Sequence, residues 1–243
     1  MNALRTKTKK LIASVWRANL KLYQTGLTPL TWGNVSQIDR GVGIIAIKPS
    51  GVSYQELKKE DIVLTDLAGK TMGSKLRPSS DLPTHLVLYR AFPAMGAVLH
   101  VHSVFATAFA QACRQVPCLG TTHADYWRNN IPITDPLTAS QIRFNYEEET
   151  GKVIVKKIRQ LRIDPRQCPF ILVAHHGPFV WGRDADEAVD NALALEYICK
   201  TAFLTLRLAP KIKSIPQVLI QKHFFRKHGP GAYYGQKKGH SQN

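Results

Sequence analysis

His100-Val101-His102 closes the apolar run Met95-Gly96-Ala97-Val98-Leu99. Residues i and i+2 of a strand point to the same face. Two imidazoles at that spacing therefore aim at one point, as two ligands of one metal require. A second apolar run, Phe170-Ile171-Leu172-Val173-Ala174, ends in His175-His176-Gly177. Two strand ends that together deliver three histidines read as a catalytic zinc site with one position left open. Such a zinc acts as a Lewis acid on a substrate oxygen and would stabilise the negative charge of an enediolate. The competing reading is unrelated histidines satisfied in the core or at strand ends. Spacing alone does not choose between His175 and His176 as the third ligand.

Three loops have the composition of a phosphate cradle. Gly33-Asn34 lies within Thr31-Trp32-Gly33-Asn34-Val35-Ser36 and makes a tight turn. Lys48-Pro49-Ser50-Gly51 follows an apolar run and offers a cation, a hydroxyl and backbone N–H groups. Pro78-Ser79-Ser80-Asp81 precedes a helix, whose N-terminus favours anions. Gly, Ser and Asn are also ordinary turn residues, so each loop alone reads equally as a turn. Asp125, in Gly120-Thr121-Thr122-His123-Ala124-Asp125-Tyr126-Trp127, is a candidate acid/base group or an Asx-turn aspartate. From about residue 222 the chain becomes a basic, aromatic tail, Lys222-His223-Phe224-Phe225-Arg226-Lys227-His228, continuing through Ala232-Tyr233-Tyr234-Gly235-Gln236. A tyrosine there serves as a proton donor if a neighbouring subunit's site receives it.

The elements that must position these residues follow from periodicity. Leu4, Leu11, Val15, Ala18 and Leu22 predict a helix over Ala3–Thr25, stopped by Gly26 and Pro29. Thr31–Asp39, Gly43–Ile47 and Ile62–Leu67 read as strands. Leu82–Phe92 reads as a helix with Asp81 at its start and Pro83 early in it. Gly96–Val101 reads as a buried strand, and Ser103 as the cap of a helix to about Ala112. Leu137–Gln160 is helical in pattern, interrupted at Gly151. Phe170–Ala174 and Phe179–Trp181 read as strands, Asp184–Leu208 as the longest helix, and Ser214–Arg226 as the last. Interleaved strands and helices predict an α/β architecture on a mixed sheet.

The 243 residues show no linker, repeat or composition shift, so one domain over 1–243 is expected. No apolar run is long enough for a transmembrane helix, and the basic start followed by Leu11–Arg17 is too quickly recharged for a signal peptide. Cys113, Cys118, Cys168 and Cys199 form no Cys-x-x-Cys pair, which points to a reduced, cytoplasmic protein. The formal net charge of +16 is concentrated at the ends, including Lys237 and Lys238. It suits nucleic acid, an anionic membrane or an anionic metabolite. No helix-turn-helix, RRM or KH signature accompanies it, so no nucleic acid and no membrane partner is expected.

These segments in this order, together with His176-Gly177-Pro178-Phe179-Val180-Trp181-Gly182, resemble the L-ribulose-5-phosphate 4-epimerases of the class II aldolase/adducin-like superfamily. The resemblance runs from about Lys9 to Gln236. It implies a three-layer α/β/α fold with a mostly antiparallel central sheet. It implies one zinc per subunit on His100, His102 and His176, with Asp81 at or near the metal, where the related fuculose-phosphate aldolases carry a glutamate. Gly33, Asn34, Lys48, Ser50, Gly51, Ser79 and Ser80 would hold a phosphorylated sugar. Asp125 and Tyr234 would be the acid/base pair, with Tyr234 acting across a homotetramer interface. The reaction implied is inversion at C4 of a ketopentulose phosphate by cleavage and re-formation of C3–C4. His175 departs from the Ser or Gln that many relatives carry before the third ligand. An aldolase that releases its products is the alternative enzyme. A non-catalytic basic binding protein on the same scaffold is the alternative outside enzymes.

Overall fold

The structure, a computed structural model, describes residues 2–228 and 230–234. The sequence expectations on Gly235-Gln236, Lys237 and Lys238 lie outside the described residues. In chain order the elements are α1 (Asn2–Gln24), β1 (Asn34–Asp39), β2 (Ile44–Ile47), β3 (Val63–Asp66), β4 (Thr71–Met72), α2 (Leu82–Ala91), β5 (Ala97–His100) and α3 (Val104–Gln111). There follow α4 (Thr121–Ala124), α5 (Ala139–Arg143), α6 (Tyr146–Gln160), β6 (Phe170–Leu172), β7 (Pro178–Gly182), α7 (Ala185–Leu208) and α8 (Gln217–His228).

The seven strands form one sheet in the order β4-β3-β2-β1-β5-β7-β6. Every pairing between them is antiparallel, not mixed as periodicity predicts. The helical excursions before β5 and after it return the chain to the sheet in the opposite direction, which element order alone does not reveal. β5 and β7 are buried along their whole length, and both read as short continuous apolar runs.

Two consecutive side chains of β1 define the layers. The Ser36 hydroxyl lies 2.7 Å from both His85 Nδ1 and the Tyr89 hydroxyl, on α2. The Gln37 side-chain oxygen accepts from Ser14 of α1 and from the Ala185 amide that starts α7. Neighbouring strand residues face opposite ways. Helix α2 therefore covers one face and α1 with α7 the other, a three-layer α/β/α arrangement.

The predicted 137–160 helix breaks at Asn145, not at Gly151. Asn145 takes a left-handed φ of 59° and separates α5 from α6. Gly151 lies inside α6, where it lets the helix press against α2: a Cβ there would lie 2.7 Å from Val87 Cβ. Crowding of that kind costs about 1–3 kcal/mol. Gly151→Ala is accordingly expected to lower the denaturant midpoint with the slope unchanged. An unchanged midpoint would show that the α2–α6 contact tolerates a methyl group.

Candidate active site

β5 lies between β1 and β7 and ends in His100, which pairs with Asn34 on one side and Phe179 on the other. His102 follows in the coil before α3. His176 lies in the turn between β6 and β7, closed by the Val173 and His176 amides on Gly177 and Val173 carbonyls. One ligand-capable nitrogen from each of His100, His102 and His176 lies within 4.8 Å of the others. The Nε2 atoms of His100 and His102 are 2.9 Å apart.

The surroundings prepare these rings as neutral ligands. His100 Nδ1 is 3.0 Å from the Pro178 carbonyl. A carbonyl only accepts, so Nδ1 carries the proton and Nε2 keeps its lone pair. Phe179 stacks on the same ring at 4.4 Å between centroids. The Tyr146 hydroxyl lies 3.3 Å from His176 Nδ1. Burial pushes His100 and His176 down to about 3, and repulsion from the neighbouring imidazoles acts in the same direction. Burial also lowers His102, against the opposing pull of Asp81. Tetrahedral zinc–imidazole bonds of about 2.0–2.1 Å would put ligand nitrogens about 3.3 Å apart. One buried and two half-buried imidazoles, with one nitrogen pair at 2.9 Å and all three within 4.8 Å of one another, fit a divalent metal of borderline softness.

His175 turns the other way. It is exposed, with a left-handed φ of 61°, and its Nε2 lies 3.3 Å from Cys113 Sγ. The reversed backbone sends two adjacent imidazoles to opposite sides of the turn. Asp81 stands outside the group of three. It occupies the cap position of α2 without making a capping bond, and its Oδ2 accepts from Asn34 Nδ2 at 2.7 Å. Its charge opposes the lowering of His102 and His176, so it faces the cluster at longer range.

The three candidate loops converge beside the histidines. Ser50 N donates to Arg77 O and Ser79 N to Lys48 O, both at 3.0 Å, which zips the second loop to the third. The Tyr54 hydroxyl reaches the carbonyls of Trp32 and Gly33 at 3.0 and 2.8 Å. The Tyr54 ring also lies 4.7 Å beneath Lys48 Nζ, so one side chain joins the first loop to the second. Lys48 is buried, and burial lowers it to about 8. Its ammonium donates to Val52 O at 2.6 Å. Ser50, Gly51 and Ser80 are exposed at the rim, while Ser79 is buried and its hydroxyl accepts from the Asp81 amide. Asn34 is buried, and its Oδ1 has no partner among the described residues. Gly33 has φ +77°, and a Cβ there would lie 2.8 Å from the His100 carbonyl. Its smallness is what allows the first loop to pass over the histidine strand.

Asp125 and Tyr234 meet elsewhere. Arg226 grips both Asp125 carboxylate oxygens at 2.9 and 2.6 Å, and His223 Nδ1 lies 3.1 Å from Oδ1. Burial alone would raise the Asp125 carboxyl, but Arg226 and His223 outweigh it and the net shift is downward. The Tyr234 ring lies 4.8 Å from the Arg226 guanidinium. Asp125 lines a cleft of about 590 Å³ with Gly182, Arg183 and Ala94. That cleft is at the end of β5 and β7 where Ala97 pairs with Gly182, whereas the histidines are at the end where His100 pairs with Phe179. Three residues of strand, about 10 Å, separate those two ends. Sequence reasoning gave no role to Tyr54, Tyr146 or Arg226. Each acts through a contact distant along the chain, and none carries a local motif.

The profile of the class II aldolase and adducin N-terminal domain family matches residues 13–203. The chain belongs to that family. Among solved structures, an L-fuculose 1-phosphate aldolase superposes with TM-score 0.73 at 23% identity, covering 88% of this chain and 94% of that one. YgbL from Klebsiella pneumoniae, described as a putative aldolase/epimerase/decarboxylase, gives TM-score 0.69 at 23% identity over 88% and 97%. The L-fuculose-1-phosphate aldolase of Thermus thermophilus gives 0.65 at 22% identity over 83% and 98%. At these identities the likeness establishes the shared class II aldolase fold. No helix among the described residues is long and apolar enough to cross a membrane.

His176→Ala is expected to abolish bound metal by elemental analysis, and His175→Ala to leave it in place. The reverse result would move the third ligand to His175. Lowered imidazole values also weaken proton competition, because protons compete with a metal for a ligand only at or below that ligand's own pKa. Metal content is expected to stay flat from about pH 8 to about pH 6 and to fall only at more acid pH. A midpoint near the ordinary histidine value of about 6.5 would contradict this.

Proposed function

We propose that the chain is a zinc-dependent sugar-phosphate 4-epimerase, acting between L-ribulose 5-phosphate and D-xylulose 5-phosphate. The observation that carries the metal-dependent part is the convergence of His100, His102 and His176 beside the loops of Asn34, Lys48 and Ser79. Zinc, when bound by the three imidazoles, supplies Lewis-acid stabilisation for the negative charge that develops on the C2 and C3 oxygens. The C4 hydrogen is not adjacent to the carbonyl, so direct proton abstraction there is difficult. Breaking C3–C4 avoids it: the C4 hydroxyl gives up its proton and the bonding electrons pass toward the carbonyl. An enediolate and glycolaldehyde phosphate result.

The chain's own residues then hold the fragments. Lys48, buried with its ammonium on the Val52 carbonyl, supplies a positive charge behind the second loop, and Ser50, Gly51, Ser79 and Ser80 supply hydroxyl and N–H donors for the phosphate. Gly33 and Asn34 present backbone and amide groups to the sugar, with Asn34 Oδ1 free to accept from a hydroxyl. Retained in this way, the aldehyde turns over and C3–C4 re-forms on its opposite face. Asp125 and Tyr234 exchange the proton of the C4 oxygen from its two sides, help worth about 10²–10⁴-fold. These two residues sit together, at the opposite end of β5 from the histidines of their own chain. In the homotetramer that the family resemblance implies, both would act in the histidine site of an adjacent subunit.

An aldolase that frees its products is favoured by a different observation, the likeness to L-fuculose 1-phosphate aldolases. It uses the same metal cluster. Asp81, at a position where the family resemblance implies a glutamate in fuculose-phosphate aldolases, together with Asp125 and Tyr234, favours epimerisation. Incubation of the zinc-loaded protein with L-ribulose 5-phosphate is expected to yield D-xylulose 5-phosphate without net aldehyde. Net release of glycolaldehyde phosphate would establish the aldolase instead. Asp125→Asn and His176→Ala are each expected to be inactive alone. Co-assembled, they are expected to regain part of the activity, because some interfaces pair two intact halves. No recovery in mixed oligomers would place Asp125 in the site of its own chain.

A further inference from the structure

The three histidines are not held equally well. His100 is fixed by a paired strand on each side and by the Pro178 carbonyl. His176 is fixed by its turn and faces the Tyr146 hydroxyl. His102 lies beyond the end of β5, and its side chain's described hydrogen-bond contact is with His100 itself. Its ring otherwise meets that of His176, at 5.0 Å between centroids, and the edge of Trp32, an exposed side chain, at 6.4 Å. What holds His102 must therefore come from the next residues, where Ser103 leads into α3.

Ser103 is in the cap position with extended backbone, φ −65° and ψ 143°, yet its side chain makes no capping bond. Its hydroxyl is buried with no partner among the described residues. The cap comes instead from α7. Glu196 Oε1 accepts from the Phe105 amide at 2.8 Å, and Oε2 accepts from the Ala106 amide at 2.9 Å. Both oxygens of one carboxylate thus satisfy consecutive orphan N–H groups in the first turn of α3. They also place a negative charge at the positive end of that helix. The bonds tie the backbone just after His102 to the longest helix, which packs on β5 and β7.

We propose that Glu196 is a positioning residue of the metal site, holding the first turn of α3 so that His102 meets His100 and His176. It touches neither metal nor substrate and acts only through the His102-Ser103 backbone. The inference rests on the metal-site reading of the three histidines. Outer-shell partners of metal ligands typically contribute about 10–100-fold in metal affinity.

The test is zinc affinity by chelator competition on the full chain, with the visible spectrum of the cobalt-substituted protein as a second readout. The variants are Glu196→Ala, Glu196→Gln and His102→Ala. Glu196→Ala is expected to weaken zinc about 10–100-fold and to alter the cobalt ligand-field bands. Glu196→Gln keeps the shape and one acceptor oxygen, and is expected to fall between Glu196→Ala and the parent. Loss of stability alone would lower the melting temperature without changing the cobalt spectrum of the folded protein. If Glu196→Ala does not fold, Glu196→Gln is read by the same two measures. Parental zinc affinity and spectrum in the Glu196 variants, with zinc lost in His102→Ala, would overturn the inference and leave the metal site standing. Zinc retained in His102→Ala would overturn the metal-site reading and the inference with it.

Discussion

The Nε2 atoms of two imidazoles lie 2.9 Å apart, one of them fixed as a lone-pair donor by a proton held on the Pro178 carbonyl. This contact organises much of the molecule. Imidazoles withdrawn from water at this spacing resist protonation, and burial with mutual repulsion drives His100 and His176 to about 3. A cation other than the proton is the natural occupant of such a place. To keep His100 there, β5 must be paired on both sides, and Gly33 must be small enough for the neighbouring loop to cross its carbonyl. The phosphate-loop candidates are then drawn in through Tyr54 and through the backbone bonds between residues 48–50 and 77–79.

The same central strands divide the candidate residues between two ends. One end carries the histidines, Asn34, Asp81 and the loops. The other carries Asp125, held by Arg226 and His223, with Tyr234 against Arg226. Within one chain this separation would be a poor design for an acid/base pair. Under the assembly proposed above, each copy would offer one half of a site at either end of its sheet. The grip of Arg226 keeps the Asp125 carboxyl ionised and oriented, at the cost of basicity.

Much of the site was legible in the chain because strand periodicity is short. A spacing of two places His100 and His102 on one side without any knowledge of the fold. The same logic did not separate His175 from His176, because the choice depends on the sign of one φ angle in a turn. Asp81-Leu82-Pro83 marked the start of α2 correctly, but not that the Asp81 carboxylate would turn to Asn34, 47 residues earlier. Gly151 read as a helix breaker because glycine usually is one. Its role is set by Val87 on another helix, and the break fell to Asn145, a residue type that enters the left-handed region several-fold more readily than most and that apolar periodicity does not register. Ser103 read as a cap for an equally local reason, while Glu196 supplies that cap from 91 residues away. Local geometry was readable, and contacts across the chain were not.

X-ray absorption at the zinc edge of the purified protein tests the central claim most directly, since it reports ligand type and distance together. The account expects three imidazole nitrogens at about 2.0–2.1 Å, completed by oxygen at the open position. A sulfur shell at about 2.3 Å would instead put the metal on Cys113 and His175, and would contradict the site described here.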